Sequence, residues 1–160
     1  MSDTTIDASR AAGILMDTLS STFADMTFID VEPARAGAAG TGELAAGSAS
    51  PIRAAIDVLK PVSLRLEIEC TSELKDRIEA TLFDGEGGRS GEEDSLLEIL
   101  NVAAGVFLTS YFGAGADIKL ELPQYLYFSD GPEGEILAEA NGDAEGQILR
   151  AVLRSIRYRY

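Results

Sequence analysis

The chain has 160 residues with 27 acidic and 13 basic side chains, and its formal net charge is −14. A surface of that charge repels nucleic acids and anionic membranes, so neither is an expected partner. The chain has no histidine, which excludes Ser-His-Asp and Cys-His catalysis and nearly all zinc sites. Its single cysteine, Cys70, cannot form an intrachain disulfide and is expected to be a buried strand thiol.

The expected location of the protein and its number of domains follow from its first residues, its apolar runs and its length. The first residues, MSDTTID, show no basic segment followed by an apolar one, so no signal peptide is expected. No apolar run is expected to be long enough to span a membrane. A length of 160 residues fits one domain with a substantial core. We therefore expect a single cytoplasmic domain over residues 1–160, with no metal site of its own.

The first predicted elements are a helix and a short strand. Apolar residues recur at helical spacing over residues 8–25, and Phe28–Val31 predict a strand that ends at Pro33. Residues 34–50 are rich in Gly, Ala and Ser and are predicted to form a flexible loop. The loop lacks the G-K-[ST] and G-x-G-x-x-G motifs of a phosphate cradle.

The clearest strand pattern lies in residues 52–71. Apolar and polar residues alternate over 52–58 and again over 62–71, and Lys60-Pro61 between them indicates a turn. This pattern predicts an antiparallel hairpin with one face on the core. Ser72 is the expected N-cap of a following helix over residues 73–83.

Residues 94–113 predict the central helix of the fold. Its apolar side comprises Leu96, Leu97, Leu100, Ala103, Ala104 and Phe107. Asp94, Glu98, Asn101 and Gly105 recur at spacings of four, three and four, so they share a different stripe. Because a carboxylate and a carboxamide are costly to bury unpaired, this stripe is predicted to be exposed.

The exposed stripe carries side chains suited to phosphate chemistry. Hydrolysis by water needs a water held in line with the leaving group and a substrate held in register. The amide of Asn101 can donate and accept hydrogen bonds at once, and Glu98 can pair with a cation on a partner. Gly105 leaves room for another protein's backbone. On spacing alone, however, a solvated helix face is the ordinary interpretation of such a pair.

The last third of the chain predicts further strands. Residues 117–122 alternate and end at Pro123, and a second strand is predicted over 125–128. Residues 135–140 and 147–155 predict a hairpin whose turn begins at Asn141-Gly142.

The C-terminal segment also fits a second structure. Arg150, Arg154 and Arg157 fit a helical stripe, so a helix stays open over 147–157, although Asn-Gly favours the strand. The basic, aromatic tail 154–160 could bind RNA, but the acidic remainder favours a sheet edge or a dimer contact.

The motif of the central helix resembles a family signature. The pattern Asp94-x-x-x-Glu98-x-x-Asn101, followed by Ala104-Gly105 and a distant Pro123, is similar to that of the CheC/CheX/FliY family of chemotaxis phosphatases. Their signature is an acidic residue or serine, three residues, Glu, two residues, Asn and then a distant Pro. The resemblance is carried by residues 94–123, extends loosely over about 51–155, and is closest to the single-motif CheX type.

The resemblance implies a function in two-component signalling: hydrolysis of the aspartyl-phosphate of a CheY-type response regulator. In that scheme Asn101 orients the attacking water, Glu98 pairs with the receiver's active-site lysine, and Asp94 and Gly105 belong to the partner-binding face. The receiver supplies Mg²⁺, so the chain needs no cofactor of its own. The family also implies an α+β fold, in which a curved, largely antiparallel or mixed sheet packs with two or three helices in a pseudo-two-fold arrangement. A homodimer through sheet edges is a further implication.

A degenerate internal repeat is suggested by the order of helix, strand and proline over residues 8–33, which echoes residues 94–123. An offset of 90 places Ala8 and Ala11 where Glu98 and Asn101 stand, and an offset of 91 places Asp7 and Arg10 there. Neither offset preserves the pair. One active face is therefore expected.

The alternative function is a non-catalytic module that binds a receiver or another signalling protein through the same face. Two departures from the family pattern favour it. Val106 stands where several members carry another Asn, and 21 residues separate Asn101 from Pro123, one fewer than usual. The retained Glu98 and Asn101 favour the phosphatase.

Overall fold

The structure is a computed structural model that describes residues 5–35, 51–83, 94–127 and 134–156. The predicted loop 34–50 lies almost entirely outside the described residues, as do residue 128 of a predicted strand and the last residues of the tail. The helices and strands are α1 Ala8–Thr27, β1 Val31–Pro33, β2 Ile52–Lys60, β3 Leu64–Cys70, α2 Ser72–Phe83, α3 Ser95–Phe112, β4 Lys119–Leu120, β5 Gln124–Tyr125, β6 Ile136–Ala144 and β7 Gln147–Ser155.

One antiparallel sheet forms the base of the fold. Its strand order is β1-β6-β7-β3-β2-β4, and β5 pairs with β2 beside β4. The three helices contact one another and cover one face of the sheet, with α1 over β6 and α3 over β2. The core lies between the two layers, where alternate residues of β3, such as Leu66 and Ile68, are buried against the helices. The predicted α+β class is therefore confirmed.

The two long helices are each followed by a strand at an edge of the sheet, β1 at one edge and β4 at the other. This arrangement matches the helix-strand-proline repeat in the sequence. α1 contains neither glutamate nor asparagine. The repeated half of the fold thus offers no second copy of the Glu98 and Asn101 pair.

The C-terminal segment is a strand rather than a helix. All of β3 pairs with residues 149–155 of β7, with Leu64 opposite Ser155 and Cys70 opposite Leu149. Leu149, Ala151 and Leu153 are buried toward the helices, whereas Arg150 and Arg154 lie on the other face. Alternation of apolar and charged residues fits a strand between two strands better than a helical stripe.

The hairpin turn predicted over residues 141–146 lies at the end of that range and does not begin at Asn141-Gly142. Both residues lie within β6, and the turn is formed by Glu145 and Gly146, whose φ angles are 53° and 92°. Two left-handed residues between paired strands make the two-residue turn that suits the twist of a hairpin. Gly142 serves packing instead, since a Cβ there would lie 2.7 Å from Cγ1 of Val31 on β1.

Two other boundaries differ from the predictions. The N-cap of α2 is Thr71 rather than Ser72, because Oγ1 of Thr71 accepts a hydrogen bond from the backbone N–H of Leu74. The first strand begins at Val31 rather than Phe28. Phe28 has φ +58° and ends α1, with its N–H donating to the carbonyl of Ala24.

The length of α3 also corrects an expectation. By length and composition alone this helix is long and apolar enough to cross a membrane, whereas the sequence was expected to hold no such run. Half of the helix is buried in the structure. It packs on α1, α2 and β2 as a core helix does.

Candidate functional site

The start of α3 is fixed by Asp94. Its Oδ1 accepts hydrogen bonds from the backbone N–H groups of Leu96 at 3.0 Å and Leu97 at 3.4 Å, so Asp94 is the N-cap. The carboxylate also lies at the positive end of the helix dipole. Serine caps helices by the same geometry, which gives a physical reason why a signature would accept an acidic residue or a serine at this position.

The end of α3 is held by the first turn of α1. Nη2 of Arg10 donates a hydrogen bond to the carbonyl of Tyr111 at 2.9 Å, and its guanidinium lies 4.4 Å from the centre of the tyrosine ring. The backbone N–H of Asp7 donates to the hydroxyl of Tyr111 at 2.8 Å. Because α3 is fixed at both ends, its exposed side chains are presented from a rigid element.

Glu98 and Asn101 occupy the solvent side of this helix. Both are exposed, while Leu100, Ala103 and Ala104 beside them are buried. Within the described parts of the chain, neither Glu98 nor Asn101 makes a side-chain hydrogen bond or ion pair. The structure therefore places the carboxylate and the amide on one accessible face, as their spacing predicts.

Gly105 continues that face toward the C-terminal end of α3. It is half-buried, and a Cβ built on it would have no atom within 4 Å apart from its chain neighbours and its own helix. The space beside Gly105 is therefore open as far as the described residues are concerned. Val106, the residue that departs from the family pattern, is exposed.

A cluster of polar side chains at the start of α3 was not predicted. The Tyr125 hydroxyl is shielded from solvent near the Asp94 carboxylate, without a hydrogen bond of good geometry among the described residues. Burial, and after it Asp94, raises the pKa of this hydroxyl. Nζ of Lys75 lies 5.6 Å from the centre of the Tyr125 ring and bonds Oε1 of Glu79 at 2.6 Å, which raises the pKa of the lysine. In the sequence the only signal was a tyrosine in an apolar strand, whose hydroxyl needs a polar neighbour.

Pro123 lies in a bulge at the edge of the sheet. Leu120 is opposite Val58 and Gln124 is opposite Ala55, so the three residues Glu121, Leu122 and Pro123 face only two residues of β2. Pro123 has no N–H to donate to β2, which is tolerated at a sheet edge. The bulge is the physical reason that the predicted strand 117–122 is reduced to the two residues of β4.

The described ranges offer neither a cluster of metal ligands nor a reactive thiol. No group of three or more His, Cys, Asp or Glu side chains there could hold a metal ion. Cys70 is buried as predicted, and desolvation raises the pKa of its thiol to about 12. A thiol with that pKa is almost wholly protonated near neutral pH and is a poor nucleophile.

The chain is similar to known proteins in structure rather than in sequence. No family model and no curated protein sequence matches the chain. Among solved structures it is similar to the chemotaxis protein CheX from Vibrio vulnificus, with 15% identity, a TM-score of 0.67, and coverage of 91% of this chain and 98% of the other. It is also similar to the structure of a complex of CheX with CheY, BeF3 and Mg²⁺ from Borrelia burgdorferi, with 17% identity, a TM-score of 0.60, and coverage of 91% and 97%. Thermotoga maritima FliY is similar at 15% identity and a TM-score of 0.55, over 95% of this chain and 91% of the other. The chain therefore has the fold of the CheX and FliY chemotaxis proteins, as the resemblance of its central motif predicted.

Proposed function

We propose that this protein is a CheX-like phosphatase that hydrolyses the aspartyl-phosphate of a CheY-type response regulator. The observation that carries the proposal is the joint exposure of Glu98 and Asn101 on one face of α3, with both side chains unengaged within the described structure. The shared fold supports it, because one neighbour was solved as a complex of CheX with CheY, BeF3 and Mg²⁺.

Asn101 would position the attacking water. Its carboxamide can accept a hydrogen bond from the water and donate one to a phosphoryl oxygen, which aligns the water with the P–O bond that breaks. Water attack forms inorganic phosphate, and the receiver's aspartate leaves as a carboxylate. Phosphoryl transfer needs little covalent help beyond positioning and charge stabilisation, so an amide on a rigid helix is sufficient for this part.

Glu98 would hold the partner in register by pairing with the receiver's lysine, one turn of α3 away from Asn101. In this proposal the receiver brings Mg²⁺ and most of the charge stabilisation. The residues of this chain bind the receiver, admit one water and orient it. These tasks require no histidine and no metal ligand from this chain.

The test is the decay of phosphate on receiver domains from the same genome in Mg²⁺, with wild type and Asn101→Ala side by side. Wild type should shorten the phosphate lifetime, and Asn101→Ala should lower the maximal rate by roughly 100-fold, the usual loss when one positioned donor is removed. The free energy of unfolding should change by no more than about 0.5 kcal/mol, because the side chain is exposed. Glu98→Lys should weaken binding more than Glu98→Ala, since it would place two cations face to face.

An alternative outcome of the same assay selects the non-catalytic module. Receivers that bind this protein but keep an unchanged phosphate lifetime, with wild type as with Asn101→Ala, would refute the phosphatase. In that case the next variant to assay would be Val106→Asn, because Val106 is exposed beside Gly105.

A further inference from the structure

The edge bulge leaves a leucine almost fully exposed beside the proposed site. Leu122 is 86% exposed, more than any other large apolar residue in the described parts of the chain. It is extruded because Glu121 still donates its N–H to the carbonyl of Asp57, whereas Pro123 has no N–H to continue the ladder. An exposed leucine fixed in a bulge has no evident use in the fold of the chain itself.

Leu122 lies level with Asn101. The edge segment runs antiparallel to α3, because Asp94 before the helix is near Tyr125 and Asp117 after the helix bonds Lys60 beside β4. Asn101 is seven residues beyond Asp94, about 10 Å along a helix. Leu122 is three residues before Tyr125, again about 10 Å along a strand.

The lateral separation of the two residues is also short. α3 packs over β2, and the edge segment is the next strand beyond β2. With layers about 10 Å apart and strands about 5 Å apart, Leu122 lies roughly 10–15 Å from Asn101. A standard protein interface buries about 800 Å² on each partner, a disc of about 16 Å radius. An interface of that radius centred on Asn101 extends as far as Leu122.

We propose that Leu122 is an apolar anchor for the response regulator, outside the catalytic pair and resting on the proposed function above. The partner is a receiver with an apolar depression about 10–15 Å from its phosphorylated aspartate. Charge fits this occupant: the exposed acid Glu121 adjoins Leu122 and the exposed acid Glu98 lies one turn from Asn101, with Lys119 as a nearby exposed base, and the receiver of the proposed function presents a lysine at its active site. Leu122 acts on affinity, whereas Asn101 acts on the chemical step.

The test compares Leu122→Ser, Leu122→Met and a matched control, Phe28→Asn. Phe28 is 82% exposed and lies at the other edge of the sheet, next to β1 and about five strand spacings, or roughly 24 Å, away. Affinity is measured for a receiver activated with BeF3 and Mg²⁺, and KM and kcat are measured for phosphate release. Leu122→Ser should weaken binding and raise KM roughly tenfold with kcat unchanged. Leu122→Met, which keeps an apolar side chain, should bind the receiver with nearly wild-type affinity. Phe28→Asn should match wild type in affinity, KM and kcat.

The outcomes separate this inference from the proposed function. Equal affinities for Leu122→Ser and Phe28→Asn, with wild-type phosphatase activity present, overturn the anchor and leave the function standing. Binding that falls with Leu122→Ser while no variant shortens the phosphate lifetime supports the anchor and removes the phosphatase. A change of oligomeric state with Leu122→Ser at unchanged receiver affinity assigns the leucine to a second copy and overturns the proposal. A wild type that binds no activated receiver overturns both.

Discussion

A buried carboxylate on the sheet face opposite the helices offers the most decisive test of the fold's energetics. Glu67 is 3% exposed, with Oε1 3.0 Å from Nε of Arg154 and Oε2 3.1 Å from Nη2 of Arg53. Arg154 is itself 8% exposed, whereas Arg53 keeps a second carboxylate, Glu69, at 3.6 Å. Replacing Glu67 with alanine therefore leaves mainly the buried charge of Arg154 without a partner.

The expected magnitude follows from that asymmetry. Removing one member of a buried ion pair costs about 3–5 kcal/mol, because the remaining charge stays desolvated and unpaired. Glu67→Ala should lower the free energy of unfolding by about that amount. The double variant Glu67→Met, Arg154→Met removes both charges and should recover most of the loss. As a control, Asp117→Ala breaks the exposed pair with Lys60 and should have little effect on stability.

Urea denaturation at neutral pH measures these differences, with the slope of the transition checking that the unfolded state is unchanged. A loss below about 1 kcal/mol for Glu67→Ala would refute the argument, since it would mean that water reaches Arg154 or that another acceptor replaces the carboxylate. A double variant as unstable as the single one would refute it equally, by locating the cost in packing rather than in charge.

Three further predictions follow from single positions. Gly105→Ala and its control Gly13→Ala both fit open space in a helix and should each raise stability by up to about 1 kcal/mol in thermal or urea unfolding. Only Gly105→Ala should weaken receiver binding, and equal binding by both variants would exclude close approach at Gly105. Burial raises the pKa of Cys70 from 9.0 to about 12, so the folded state keeps the thiol protonated where the unfolded state has lost the proton. The contribution of the buried thiol to the free energy of unfolding is therefore complete below pH 9 and is lost as pH rises toward 12. Stability should therefore fall by about 2–3 kcal/mol between pH 9 and pH 11, and Cys70→Ala should flatten that slope. Asp94→Ala should cost about 1 kcal/mol of stability and Asp94→Ser little, because serine also caps a helix. Similar losses for both would show that the cap is not what Asp94 contributes.

The position of α3 and of its exposed stripe could be predicted from the sequence, because two periodic patterns coincide there. Apolar residues repeat at helical spacing, and the polar residues fall outside that repeat, so burying one face necessarily exposes Glu98 and Asn101. The predicted hairpin of β2 and β3 is confirmed for a similar reason, since strict alternation fixes which residues face the core.

Features that depend on distant strands were not predictable from local pattern. Asn141-Gly142 has the composition of a turn, but Gly142 is needed where β1 and α1 approach β6. Glu67 alternates as a polar residue should, yet its burial depends on arginines from two neighbouring strands. Leu122 looks like one more apolar residue of a strand, and only the register of β2 with β4 and β5 shows that it is extruded.

The buried ion pairs that stabilise the fold and the residues of the proposed chemistry lie on opposite outer faces of the two-layer structure. The buried ion pairs of Glu67 lie on the sheet face that the helices leave uncovered, and the exposed stripe of α3 lies on the outer side of the helix layer. Neither Glu98 nor Asn101 makes a side-chain hydrogen bond or ion pair within the described residues. A carboxylate and an amide left without such bonds, presented by a helix capped at both ends, fit the receiver-directed site proposed above.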